Sequence, residues 1–193
     1  MDMASDKKQE VMTAARLMVQ ARGYNALSFR DLAEAVGVKS SSIHYYFPTK
    51  GDLGAALARQ YTDEFLSYLD GLLADGVDWQ ACIARYADVF RDTLLRENRM
   101  CMAGILAAER PDLAPEVRAE VERFTMLIVD WLARVLAVGK PKMDAAAVKA
   151  QAFAVFSAIE GAQLVARGCD DVKVFDNTLA AYRAAGLLPD TQG

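Results

Sequence analysis

Apolar residues recur at spacings of three and four along almost the whole chain, as in Val11, Ala14, Ala15, Met18 and Ala21, and the strict alternation of a half-buried strand is nearly absent. The spacing predicts helices throughout. Gly23 ends the first of them, being a residue that tolerates positive φ. "SFRD" then reads as a capping box, with the Ser28 hydroxyl placed for a free backbone N–H and Asp31 reaching back, and Gly37 closes this second helix after about two turns. A third short helix fits between Val38 and Phe47, because Pro48 disfavours helical geometry at Phe47. "TKGD" repeats the capping logic with Thr49 and Asp52 and opens a long helix to about Asp70, carrying Leu53, Leu57, Tyr61, Phe65 and Leu69 on one stripe.

Beyond it the pattern predicts further helices at 78–97, 100–109, 113–137, 144–167 and 171–186, broken at Gly76, Pro111, "GKPK" and "GCDD". The fold class expected is all-α: a three-helix head over residues 1–50, and a helical body over 51–193 entered through the long connector helix. Helices two and three, joined by the tight turn "VGV", have the helix-turn-helix pattern, in which the second helix enters the DNA major groove.

Charge sharpens this division. The net charge is −4, yet residues 1–60 hold eight basic side chains (Lys7, Lys8, Arg16, Arg22, Arg30, Lys39, Lys50, Arg59) against six acidic ones (Asp2, Asp6, Glu10, Asp31, Glu34, Asp52), and the remainder is acidic. A mildly basic head on an acidic body suits a head that meets phosphate. Cys82, Cys101 and Cys169 lack the paired spacing of a disulfide scaffold, which suggests a reducing compartment. With no continuous apolar run long enough for a signal core or a membrane span, a soluble cytoplasmic protein is expected, with no membrane partner.

The stretch "GVKSSSIHYYFPTKGDL" concentrates hydroxyls, aromatics and cations where a recognition helix would begin. Serines there can bond phosphates or bases at close range, and tyrosines reach phosphate with a hydroxyl while packing a ring. A lysine at a helix N-terminus adds charge where phosphate is already favoured. The plainer reading is a serine-rich turn whose aromatics, Phe47 and Tyr46, seal a small core. His44 is the only histidine, so a catalytic histidine pair or a multi-histidine metal site within one chain is excluded, and no cofactor or metal is expected.

Residues 14–53, "AARLMVQARGYNALSFRDLAEAVGVKSSSIHYYFPTKGDL", resemble the DNA-binding domain of the TetR/AcrR family of transcriptional repressors, through Gly23-Tyr24, Ser28, Arg30 to Ala33, Ala35 to Val38, Phe47, Lys50 and Leu53. The resemblance implies about nine helices, an effector pocket in the body, and a homodimer built by the last two helices. It also implies that effector binding reorients the heads. Carried over by position, Ser28 and Arg30 would touch the DNA backbone, Lys39, Ser40, Ser41, Ser42, His44, Tyr45 and Tyr46 would face the groove, and Lys50 would hold a phosphate. Lys39-Ser40 stands where the family commonly has serine followed by lysine, and Ser41 where it has glycine. Tyrosine is frequent in the family at His44, and histidine at Tyr46.

In the body, Tyr61, Phe65, Tyr86, Phe90, Trp131 and Phe156 are candidates for an aromatic effector cavity, although such residues are more often plain core than pocket wall. Glu160 and Gln163 sit in an otherwise apolar helix, "FSAIEGAQL", so each must find a partner in a ligand, water or a second subunit. Cys101 follows "RENRM" and should open a short helix, where Arg96, Arg99 and the helix N-terminus would favour its thiolate. The plainer alternative is an inert buried thiol. "CMAGILAAE", "APEVRAEVERF" and "QAFAVFSAIEGAQLVAR" are similar to the branch of the family that includes the N-ethylmaleimide reductase repressor, which implies a cysteine that responds to electrophiles or oxidants. Small residues among large apolar ones in the last two helices (Ala154, Ala158, Gly161, Ala162, Ala180, Ala181) permit close packing across a two-fold axis. The function expected is a homodimeric repressor, not an enzyme, that leaves a palindromic double-stranded DNA operator when a small effector binds or Cys101 is modified. A carrier or enzyme using the aromatic cavity, or an activator of the same fold, are the alternatives.

Overall fold

The computed structural model describes residues 3–190, and among them nine α-helices follow in order: α1 Met3–Arg22, α2 Phe29–Val36, α3 Ser40–Tyr46, α4 Lys50–Ala74, α5 Trp79–Leu95, α6 Met102–Ala108, α7 Pro115–Gly139, α8 Ala145–Cys169 and α9 Val172–Ala184. The chain is all-α, as its periodicity requires. Helix ends differ from the sequence reading by one to four residues. The connector α4 continues past Asp70 to Ala74, and Pro111 sits in a short 3₁₀ turn, Arg110–Asp112, so that α7 starts only at Pro115. Proline is tolerated at a first helical position because its missing N–H would have no intrahelical partner there.

Local chemistry sets the ends. Ser28 is extended and its hydroxyl accepts from the Asp31 N–H at 3.4 Å, opening α2. Gly37 closes that helix with φ 68°, while the Val38 N–H bonds back to the Ala33 carbonyl at 2.9 Å. At α4 the capping box is reciprocal: the Asp52 N–H donates to Thr49 Oγ1 at 3.0 Å, and the Thr49 N–H and hydroxyl donate to Asp52 Oδ2 at 3.0 and 2.7 Å. Asp78, Asp144 and Asp171 cap α5, α8 and α9 in the same sense.

The helices form two compact units. One joins Met1–Thr62 with Met102–Phe124, the other Asp63–Cys101 with Thr125–Gly193. In the first, Val11, Ala15, Leu32, Ile43 and Leu53 are fully buried, and α6 packs on α1. The start of α4 approaches closely: a Cβ on Gly54 would lie 2.7 Å from the Tyr24 ring and 3.0 Å from Val117. In the second, α8 and α9 form an antiparallel hairpin against α5, with Tyr86, Phe90, Trp131, Ile159 and Phe175 in the core. Arg91 on α5 forks onto both oxygens of Asp176 on α9 at 2.7 and 2.9 Å. No described helix is long and apolar enough to cross a membrane.

Gly54 and Gly71, two of the three glycines of α4, give a test of this packing. Gly54→Ala is expected to lower stability by about 1–3 kcal/mol through overpacking. Gly71→Ala, where a Cβ would meet nothing within 4 Å, should be neutral or stabilise by up to about 1 kcal/mol. Equal denaturant midpoints for the two variants would contradict the close approach.

Candidate functional site

In the first unit α3 buries only Ile43, and Phe47 just beyond it seals the core with 3% exposure. Ser40, Ser41, His44 and Tyr45 are exposed, Ser42 and Tyr46 half-buried, and Tyr45 is 81% exposed, an unusual cost for an aromatic ring. The rings brace one another, Tyr45 edge-on to Tyr46 at 5.3 Å and His44 edge-on to Phe29 at 4.8 Å. His44 Nδ1 lies 3.3 Å from the Pro48 carbonyl, which can only accept, so the imidazole donates there. Lys39 is exposed beside α3, and Arg30 on α2 has an 88% exposed side chain. Ser28, by contrast, is half-buried and occupied as the α2 cap.

Lys50 is engaged inside the molecule. Its ammonium donates to the Asn25 carbonyl at 3.2 Å and lies 4.6 Å from the centre of the Tyr24 ring. Burial lowers its pKa, and the Glu109 carboxylate opposes that shift. Around it runs a set of contacts that sequence reasoning missed. The Asn25 N–H donates to Glu109 at 2.9 Å and its amide to Asp112 at 2.8 Å, while Arg59 donates twice to Glu120 at 2.9 and 2.6 Å. Partners more than sixty residues apart leave no trace in local spacing.

The second unit gathers Phe65, Tyr86, Phe90 and Trp131. Tyr86 stacks on Phe65 at 5.9 Å, meets Phe90 edge-on at 5.0 Å and lies 6.1 Å from Trp131. Phe156 is half-buried on α8. Tyr61, in the first unit, lies 5.7 Å from Phe124 and beneath the Arg16 guanidinium at 4.8 Å. The helical stripe correctly places Tyr61 inside but cannot say which neighbours it meets.

Polar groups are set among these rings. Gln163 is wholly buried and finds its partners in its own chain, donating to the Phe90 carbonyl at 2.9 Å and accepting from the Cys101 N–H at 3.0 Å. Tyr86 Oη, Trp131 Nε1 and both Glu160 oxygens are buried without an aligned hydrogen-bond partner among the described residues. Burial pushes the Glu160 carboxyl from 4.5 up to about 7, and a hydrogen bond with the Cys101 thiol works in the opposite direction. Burial also raises the Tyr86 hydroxyl, and the charges of Glu160 and Cys101 add smaller contributions in the same direction. Cys101 is buried and immediately precedes α6, as expected, and Arg99 is paired with Glu97. None of the three cysteines is in a disulfide.

Comparisons with known proteins agree with this architecture. Residues 11–57 match the family described as bacterial regulatory proteins, tetR family. The HTH-type transcriptional regulator RutR of Escherichia coli K12 is 28% identical over 134 residues, which are 66% of this chain and 63% of that protein, so the match spans under two thirds of this relative's length. A TetR transcriptional regulator of Legionella pneumophila superposes with a TM-score of 0.86 at 29% identity, covering 92% of this chain and 96% of that one. The reduced form of E. coli NemR shares the fold, with a TM-score of 0.78 at 19% identity and coverage of 93% and 96%.

Glu160 makes stability depend on pH. The folded state holds the proton more tightly than the unfolded chain, so this group's contribution is most favourable below the ordinary carboxylate range and is lost as pH rises through about 7. Glu160→Gln should therefore stabilise the fold increasingly from pH ~5 to pH ~8, by about 3 kcal/mol at the upper end. A constant difference in urea unfolding across that range would contradict the buried, raised carboxyl.

Proposed function

The chain belongs to the TetR family of bacterial regulatory proteins, and from that premise we propose that it is a DNA-binding repressor that releases its operator in response to an effector. The observation that carries the reading is the outer face of α3, where serines, His44 and Tyr45 stand in solvent on a helix anchored by Ile43 alone. Such a helix presents base-reading hydroxyls and rings, and exposed Lys39 and Arg30 supply phosphate contacts beside it. Lys50 takes a phosphate only by extending its present role at the start of α4, since its ammonium is shared with Asn25 and Tyr24.

A homodimer is supported by α8 and α9. Phe153, Leu164 and Val165 are 38, 55 and 56% exposed, and small residues, Ala154, Ala180 and Ala181, are exposed on the same two helices. A second copy of the hairpin would cover them and pair the heads on a palindrome with half-sites about 34 Å apart.

The effector acts in the second unit, on the cluster of Tyr86, Trp131, Glu160 and Cys101, either by binding or by modifying the thiol. It shifts the heads only if it prefers one conformation of the body over another. Three helices provide chain continuity for that coupling: α4 and α7 each run from one unit into the other, and α6 begins at the residue after Cys101 and ends next to Glu109, which holds Asn25.

Fluorescence anisotropy on DNA from just upstream of its own gene tests the reading. Tight, salt-sensitive binding is expected, and Arg30→Ala should weaken it on all sequences alike while reducing the salt slope by about 1. Unchanged affinity and slope would remove Arg30 from the interface. Absence of binding at low salt would favour a small-molecule carrier instead.

A further inference from the structure

The hydrogen-bonding sense of His44 is fixed by its own chain. Nδ1 lies 3.3 Å from the Pro48 carbonyl, an atom that can only accept, so Nδ1 carries the proton. The ring also packs edge-on against Phe29 with centroids 4.8 Å apart, and the two contacts together set its plane. A neutral imidazole has one donor and one acceptor nitrogen, which leaves Nε2 as a bare acceptor. Among the described residues no hydrogen bond uses Nε2, and His44 is exposed. The lock itself is firmly held. Phe47 leaves helical geometry with φ −137° and ψ 99° and is buried, which keeps the Pro48 carbonyl within reach of the ring four residues earlier.

This polarity distinguishes His44 from its exposed neighbours. The hydroxyls of Ser40, Ser41 and Tyr45 both donate and accept, and the Lys39 ammonium only donates. In the major groove every base pair shows an amine on one strand and a carbonyl oxygen on the other: adenine N6 and cytosine N4 donate, while thymine O4 and guanine O6 accept. An outward N–H would seek the carbonyl. An outward bare nitrogen finds its partner in the amine, and it gains nothing from a carbonyl or phosphate oxygen, neither of which has a proton to give.

Resting on the reading that α3 enters the major groove, we propose that His44 is a specificity-determining residue that selects an amino base, adenine or cytosine, over guanine or thymine at one position of one strand in each half-site. The Pro48 carbonyl sets the sign of that choice by holding the proton on Nδ1. Phe29 contributes by limiting the ring to one orientation, so that the acceptor is presented without further loss of freedom on binding.

Selection of the full chain on randomised duplexes, followed by fluorescence anisotropy on the selected sites, tests this at pH about 8, where imidazole in water is neutral. One position in each half-site should prefer adenine or cytosine over guanine or thymine by roughly 10-fold. Replacing that adenine with nebularine, or that cytosine with 2-pyrimidinone, removes only the exocyclic amine and should weaken the unaltered protein by about the same factor. His44→Phe keeps a ring against Phe29 but has no acceptor. It should bind the amine-free and natural sites alike and lose the preference at that position alone, with the salt slope and the other positions unchanged. A His44→Phe protein that keeps the full preference, or that weakens equally on all sequences as loss of a phosphate contact would, overturns the role of His44 and leaves DNA binding standing. An unaltered protein indifferent to loss of the amine overturns it without any variant. Absence of binding to every duplex at low salt would instead overturn the reading of α3 on which it rests.

Discussion

The second unit is organised around one buried amide. Gln163 has no access to water, and its two ends join the Phe90 carbonyl on α5 to the Cys101 N–H ahead of α6. Removing it would take from the buried Cys101 N–H the acceptor it has in Gln163, at a cost of about 1–3 kcal/mol. The amide thus fixes α5, α8 and Cys101 to one another. Tyr86 is one turn of α5 before Phe90, and Glu160 is nearly one turn of α8 before Gln163, so the same clamp sets the whole polar cluster. A core tied by one directed polar contact can adopt few alternative packings, which is what a two-position switch requires.

The head follows a different logic, built almost wholly from short-range rules. The Ser28 cap, the left-handed Gly37 and the Thr49–Asp52 box fix three helix ends within a few residues of sequence, and Ile43 and Phe47 hold α3 from beneath. Nothing polar on α3 is needed for this packing, so its outer face is left to interaction. Contacts from Glu109 and Asp112 to Asn25 then fasten the α1–α2 corner from a distant part of the chain.

This contrast explains how much is legible in the sequence. Helix identity, the capping boxes, the stop at Gly37 and the buried stripe of α4 all follow from periodicity and local hydrogen bonding, and the structure bears them out. The exposed character of Ser40, Ser41, His44 and Tyr45 follows as well, because a short helix with one buried anchor has little else to offer. What spacing does not carry is the identity of a partner across the fold. Tyr61 meets Phe124 and Arg16, and Gln163 meets backbone of its own chain. A polar residue in an apolar helix signals that a partner exists; only the fold names it.

The account rests on the claim that the exposed face of α3, presented twice by a homodimer, reads DNA. Hydroxyl-radical footprinting of the region upstream of the protein's own gene tests it most directly. The account predicts two protected half-sites related by a dyad, centred about 34 Å apart. No protection at low salt, or a single unpaired patch at saturating protein, would contradict it.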